Sequence, residues 1–268
     1  MAHPVVAGAE LVESVQAGAY RRLVLRAPEV ARRVGPGHFA TLGVGGAMLL
    51  RRAFWIHRAD VGAGTVELVV AERGAGTREL VRSRVGDRLS LIAPLGTPFP
   101  VPEGPVSALL VAGGYGSAAL FGLAEEIRRR GGQVGFILGA ATEARLFGVE
   151  AARELTQDVL VVTEDGSAGL AGVVTEVVAQ AMKAIDATVV YAAGPTPMLA
   201  EVSGTAAELG ARCWTAVEEA MACGTGLCAT CVLPVVGADG VSRSVRSCTD
   251  GPVFDGARVR WAGVGAAA

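Results

Sequence analysis

A chain of 268 residues, 51% hydrophobic and 19% charged, has apolar material for two or three packed domains, which excludes general disorder. Its net charge of −2 lacks the basic excess that grips a phosphate backbone, so no nucleic-acid partner is expected. No apolar run approaches the ~20 residues needed to cross a bilayer, and the first ten residues show no secretory pattern. The expected setting is therefore cytoplasmic, reducing and away from membranes, and its five cysteines read as metal ligands or free thiols before disulfides.

Residues 1–103 alternate apolar and polar side chains in short runs. Strands are expected at Tyr20–Leu25, Phe39–Leu42, Thr65–Val70 and Arg88–Ile92. Turns at 35–37, 43–46, 62–64 and 93–96 separate them, which suggests an all-β barrel or sandwich. A short helix is predicted over 78–83. Pro98, Pro100, Pro102 and Pro105 around Gly104 mark an extended linker and the first boundary.

Residues 104–210 change period. Apolar runs at Ser107–Ala112, Gln133–Gly139, Asp158–Thr163 and Ala187–Ala192 alternate with helical stretches at Ser117–Arg130, Val173–Ile185 and Thr196 to about Leu209. That alternation predicts a doubly wound parallel α/β sheet covered on both faces. Residues 211–268 open on a strand-like run, Arg212–Val217, and hold all five cysteines. They read as a small third domain with too little core to stand without help, and its last residues, 263–268, are expected to fray.

Cys223, Cys228 and Cys231 stand in the spacing Cys-x4-Cys-x2-Cys, with Cys248 further on. This is the plant-type arrangement of four thiolates around a [2Fe–2S] cluster. Small residues between the ligands let one loop wrap a compact cluster and turn backbone N–H groups toward its sulfides. A structural zinc site is the alternative, although zinc ribbons usually show two Cys-x2-Cys pairs and this chain has one. Cys213 stands apart and reads as a small buried hydrophobe.

Gly114-Tyr115-Gly116-Ser117-Ala118-Ala119 follows an apolar strand, opens a helix and fits G-x-G-x-x-G/A, a pattern that holds a pyrophosphate on backbone N–H groups. Gly194-Pro195-Thr196-Pro197 is a second strand-to-helix turn at the same sheet edge. Arg52, within Arg51-Arg52-Ala53-Phe54-Trp55, and the loop Gly74-Ala75-Gly76-Thr77 would together suit a diphosphate. Each has a plainer alternative: glycine is favoured in any strand–turn–helix unit, and the arginines can be a solvated pair. The three histidines are scattered and no nucleophile–base set exists, which leaves the chemistry to bound cofactors.

In this order the motifs resemble the electron transfer subunit of class 1B dihydroorotate dehydrogenase, a branch of the ferredoxin–NADP reductase superfamily. The stretch from Glu218 to Cys223, the stretch from Cys248 to Phe254, and the turns at 36–39 and 93–96 carry the likeness furthest. The resemblance implies an N-terminal barrel holding FAD at Arg52, Ala53, Phe54, Trp55, Val69, Val70, Ala71, Gly76 and Thr77. It implies NAD(H) at the turns of Gly114, Gly116 and Gly194, and a [2Fe–2S] cluster on Cys223, Cys228, Cys231 and Cys248. It further implies an FMN-containing catalytic partner in pyrimidine biosynthesis, in a heterotetramer with two of each subunit. Two positions depart from the family pattern. Trp55 stands where a Ser or Thr hydroxyl lies near the flavin N5, and an indole can only donate. Ala119 stands where proline is common. Two other readings remain at this point: a related reductase subunit serving a hydrogenase, sulfur reductase or transhydrogenase, and a non-catalytic zinc-stapled nucleotide-binding module.

Overall fold

A computed structural model describes residues 3–45 and 49–264. The turn residue Gly46 and the tail 265–268 lie outside the described residues.

The N-terminal part is a closed six-stranded barrel. Its elements are β1 (Val5–Ala17), β2 (Tyr20–Arg26), α1 (Pro28–Ala31), β3 (Phe39–Leu42), β4 (Arg52–Asp60), β5 (Thr65–Ala71), α2 (Ala75–Val81) and β6 (Arg88–Leu95). The strands close in the order β1-β2-β5-β4-β3-β6. Leu11, Leu23, Leu25, Leu42, Leu68 and Leu91 fill the interior with no solvent exposure. The four expected strands are present, most of them slightly longer.

Two more, β1 and β4, were not expected. In β1 the inward positions include Ala9, too small to mark a strong alternation. In β4 the residues Trp55, Ile56 and His57 are buried in succession. Ile56 faces the barrel interior, Trp55 joins the core shared with the next domain, and a bulge between Ile56 and Arg58 re-aims the strand. Burial on both faces erases the period of two. Helix α2 begins a turn earlier than predicted. The Thr77 hydroxyl accepts the N–H groups of Arg73 (2.9 Å) and Gly74 (3.0 Å), which satisfies donors at the helix start.

The proline linker is pinned on both sides. Phe99 donates its N–H to Pro36 O, and the Tyr191 hydroxyl donates to Pro100 O, both at 2.8 Å.

The second part is one sheet with helices on both faces. Its elements are β7 (Ser107–Gly113), α3 (Phe121–Arg129), β8 (Gln133–Ala140), α4 (Val149–Leu155), β9 (Val159–Thr163), β10 (Leu170–Ala171), α5 (Val178–Ala184), β11 (Val189–Ala193), α6 (Thr196–Glu208) and β12 (Arg212–Ala216). Then come the hairpin strands β13 (Val232–Val236) and β14 (Ser242–Arg246), and β15 (Val253–Asp255). The sheet order is β10-β9-β8-β7-β11-β12-β15, parallel throughout except for β15. The helices predicted from Ser117 and Val173 each begin with a 3-10 turn, over Gly114–Ala119 and Val174–Val177.

The boundary expected at residue 210 falls within this sheet. Strand β12 runs parallel to β11, with Cys213 opposite Val190, and β15 returns antiparallel to β12. An apolar strand with no core of its own gains burial and a hydrogen-bonded ladder by joining the larger sheet. The segment between β12 and β15 leaves and re-enters at one neck. There Val217 N–H donates to Pro252 O (3.0 Å), and Thr97 N–H of the barrel side donates to Gly251 O (2.5 Å). Among the described residues no helix is long and apolar enough to cross a membrane.

Candidate functional site

The chain order reverses at β7: β8 and β9 lie to one side, β11 and β12 to the other. The crevice beyond the carboxyl ends of such strands is where ligands sit in doubly wound sheets. A cavity of about 430 Å³ occupies it, lined by Gly114, Tyr115, Ala140, Arg145, Glu164, Pro195 and Met198 among others. Gly114 faces this space. Gly116 packs on the backbone of Ala193 and Gly194, and Gly194 packs on that of Gly113. A Cβ on Gly116 would sit 2.6 Å from Ala193 O, and one on Gly194 would sit 2.9 Å from Gly113 N. Their role is the close approach of the two turns, which sets the crevice floor.

A second cavity, about 290 Å³, lies on the barrel side. It is lined by Phe39, Ala53, Phe54, Trp55 and Val69 and is closed by Val217 to Met221. Trp55 is 8% exposed and sits opposite Phe39 across β3 and β4. Successive residues of a strand point to opposite sides. Val69 therefore faces this cavity, whereas Val70 is wholly buried in the barrel core. Ala71 packs against the shared interdomain core.

Arg52 and Gly76 meet beside these strands: the Arg52 Nε lies 2.6 Å from where a Gly76 Cβ would stand. Arg52 is held by its own neighbours, Nη1 donating to Leu50 O at 2.8 Å. A guanidinium against a helix's first turn, next to an apolar slot between Trp55 and Val69, fits a diphosphate with a flat ring attached.

Arg73, Tyr115 and Glu218 border both cavities. None was singled out as a ligand-binding residue from the sequence. They come from the barrel, the sheet and the segment after β12, and no local pattern joins them. Glu219 also lines the barrel-side cavity, and burial raises its carboxyl above the usual range.

The cysteine loop lies against the same region. A Cβ on Gly224 would be 2.8 Å from Thr41 and 3.4 Å from Phe39, so the loop packs on the barrel next to the second cavity. Cys223 and Cys228 have their sulfurs 3.3 Å apart. Cys231 and Cys248 form a second, buried pair. Burial works against the Cys223 thiolate, but N–H groups of Thr225 and Cys228 outweigh it and bring the thiol down to about 6. Burial and the neighbouring Cys231 sulfur push Cys248 up to about 12. Two cysteine pairs, with backbone N–H groups turned toward sulfur, fit a two-iron cluster better than a single zinc. Arg246 Nη1 donates to Gly226 O (2.9 Å) and fastens the loop. Cys213 lies elsewhere, on β12 with its sulfur 3.7 Å from the Ser203 hydroxyl, and burial lifts its thiol to about 12.

His38 and His57 are buried in the barrel, whereas His3 is exposed. His57 Nδ1 lies 3.1 Å from Ala118 O, and His38 Nδ1 accepts the Gly35 N–H at 2.8 Å. Burial lowers each to about 4, which keeps both rings neutral.

Residues 218–260 match the iron–sulfur cluster binding domain of dihydroorotate dehydrogenase B. The chain is 37% identical over 236 residues to the dihydroorotate dehydrogenase B (NAD+) electron transfer subunit of Geobacillus thermodenitrificans, covering 87% of this chain and 89% of that one. The chain belongs to that family. Another electron transfer subunit homolog, from Thermotoga maritima, is 32% identical over 238 residues, 88% of this chain and 82% of the relative. A solved structure of an NADH-dependent reduced ferredoxin-NADP oxidoreductase superposes with a TM-score of 0.84 at 29% identity, covering 96% of this chain and 91% of that one. The ferredoxin NADP+ reductase of Neisseria gonorrhoeae shares the fold alone, with a TM-score of 0.61, 19% identity, and coverage of 76% and 92%.

As a dihydroorotate dehydrogenase B electron transfer subunit, the protein is an NAD-linked oxidoreductase component that relays electrons with FAD and an iron–sulfur cluster. The expected fold class, a barrel with a doubly wound sheet and a cluster-bearing C-terminal part, holds. The reading as a non-catalytic zinc-stapled module falls with the family membership.

Proposed function

We propose that this subunit passes electrons between NAD(H) and an FMN-containing dihydroorotate dehydrogenase catalytic subunit, in a cytoplasmic heterotetramer with two of each chain. The observation that carries this reading is spatial continuity. The crevice cavity, the barrel-side cavity and the cysteine loop follow one another, joined first by Arg73, Tyr115 and Glu218 and then by Phe39.

On this reading the backbone of Gly114 and the crevice built on Gly116 and Gly194 receive the dinucleotide. Arg52, with Gly76 and Thr77 at the start of α2, binds the FAD diphosphate. Ala53, Phe54, Trp55 and Val69 wall the ring system, while Val70 and Ala71 support that wall from behind. Cys223, Cys228, Cys231 and Cys248 hold the cluster. When bound, the flavin supplies the exchange between a two-electron hydride and single electrons, and the cluster supplies a one-electron step. The protein's part is to orient these groups and to exclude water through the apolar wall of Trp55, Phe39 and Met221. The cluster module proper is the segment between β12 and β15, with the barrel and sheet as its platform.

Leu227, 87% exposed on the cysteine loop, supports a docking role for that loop. Co-expression with a dihydroorotate dehydrogenase catalytic chain tests the assignment. A stable complex with NADH-linked dihydroorotate turnover is expected. A protein that stays alone, yet reduces a ferredoxin from NADPH, would instead favour a related reductase subunit.

A further inference from the structure

Among the described residues two buried side-chain hydroxyls, those of Ser247 and Thr249, meet no hydrogen-bond partner within the protein, and they stand on either side of Cys248. A buried hydroxyl left unpaired costs free energy, so each calls for a partner. Of the two, Thr249 has its side chain against the cysteine loop. A Cβ on Gly226 would stand 2.9 Å from Thr249 Cγ2 and 3.7 Å from its Oγ1. The Gly226 N–H in turn points to the Cys248 sulfur. The turn that carries Thr249 is fixed by its own bonds: Thr249 N–H donates to Arg246 O at 3.1 Å, and Arg246 N–H donates to the Asp250 carboxylate at 2.8 Å. A third hydroxyl, that of Thr230, lies 3.2 Å from Cys228 Sγ and 3.2 Å from Ala220 O. It has one proton for these two acceptors. Once Cys228 is a thiolate on iron it can only accept, and a charged acceptor takes that proton in preference to a carbonyl.

We propose that the Thr249 and Thr230 hydroxyls donate to cluster sulfur on the Cys248 and Cys228 sides, and that these two bonds raise the reduction potential of the cluster. This rests on the placement of the cluster on the four cysteines given above. When the flavin passes one electron to the cluster, the added charge spreads onto its sulfurs, and no bond of the protein forms or breaks. A donor aimed at sulfur therefore stabilises the reduced cluster more than the oxidised one. Backbone N–H groups do the same, but they come with the loop itself. The two hydroxyls belong to side chains, so they can be removed with all four ligands left in place. Thr249 carries the larger effect. Its oxygen is shut off from solvent, whereas Thr230 is exposed and water can stand in for it in part.

The experiment is a redox titration of the FAD- and cluster-loaded protein, followed by electron paramagnetic resonance, in the wild type, Thr249→Val, Thr249→Ser, Thr230→Val and Thr230→Ser. Valine keeps the shape and removes the proton, while serine keeps the hydroxyl. Thr249→Val should lower the equilibrium constant for one-electron reduction by roughly tenfold, about 59 mV. Thr230→Val should lower it by roughly two- to threefold. Both serine variants should stay within about twofold of the wild type. After exchange into D2O, pulsed spectra of the reduced cluster should show one exchangeable proton coupling fewer in Thr249→Val than in the wild type. Iron and sulfide content confirms that each variant compared is fully loaded, and Thr249→Ala takes the place of Thr249→Val if valine is not accommodated. The proposal is overturned if the loaded protein without the Thr249 hydroxyl keeps the wild-type potential, or if Thr249→Ser shifts as far as Thr249→Val, which would make the side chain a matter of packing alone. A [2Fe–2S] signal that survives unchanged in Cys248→Ser would instead overturn the ligand assignment beneath the proposal, a distinct failure.

Discussion

The Arg52 guanidinium lies so close over Gly76 that a methyl group there would stand 2.6 Å from its Nε. One residue starts β4 and the other lies in the first turn of α2, and their contact places a fixed positive charge beside free backbone N–H groups.

From this contact, Arg52→Ala should weaken FAD binding by roughly tenfold or more, the loss of a charge-assisted contact worth about 1.5–3 kcal/mol. Gly76→Ala should reproduce most of that effect by pushing the guanidinium aside. Flavin release followed by fluorescence, with FAD distinguished from FMN, is the measurement. Unchanged retention in both variants would move the diphosphate elsewhere.

Cys223→Ser, Cys228→Ser, Cys231→Ser and Cys248→Ser should each bleach or destabilise the cluster spectrum. Cys213→Ser should leave it intact, because that sulfur packs on Ser203 within the sheet. Visible and electron paramagnetic resonance spectra of anaerobically purified variants decide this, with iron and sulfide analysis expected to give two of each.

Trp55 lines the barrel-side cavity, where an indole supplies bulk and no acceptor. Trp55→Ser should shift the flavin potential and the rate of reduction by NADH while FAD content stays near normal. The same change empties buried volume and should cost on the order of 3–5 kcal/mol of stability. Identical potentials and rates in the two proteins would place Trp55 away from the reactive edge.

His57 should make the domain junction acid-sensitive. Burial holds its folded-state pKa near 4, well below the ordinary imidazole value of 6.5, with the Ala118 carbonyl offsetting this only in part. The neutral ring's contribution is fully present above about 6.5 and drains away as pH falls toward 4. His38 adds to the same window. Thermal melts of the wild type across this range should show the decline, and His57→Gln should flatten it. A variant with an equally steep decline would locate the sensitivity in other groups.

Leu227→Glu should weaken capture of the catalytic chain while flavin content and the flavin spectrum stay normal, since the side chain is exposed and lines neither cavity.

The parts of this molecule written locally could be read locally. Cysteine spacing pointed to the cluster loop, and the apolar runs of β7, β8 and β11 announced a parallel sheet, because burial on both faces leaves an uninterrupted hydrophobic stretch. The strand β4 was hidden for a related reason: its two faces serve different cores, and a bulge breaks its register. Tyr115 and Glu218 lie within recognisable motifs, but nothing in the sequence joins them to each other or to Arg73. The three lie in separate segments, and only the docking of the barrel on the sheet gives them a common location. Gly116 stood out through a phosphate-binding pattern and Gly194 through a strand-to-helix turn at the same sheet edge, and in the structure the two let those turns touch.

The neck at Val217 and Pro252 has a mechanical consequence. Because both ends of the cysteine-bearing segment are stitched to β12, β15 and Thr97, it cannot act as a swinging arm. An electron crossing from the barrel side to the cysteine loop meets a gap whose width is set by hydrogen-bonded strands and does not wait for a tether to diffuse. That internal step should be indifferent to solvent viscosity, and any slowing in glycerol should arise at the subunit's outer surfaces, where nucleotide arrives and the catalytic chain docks.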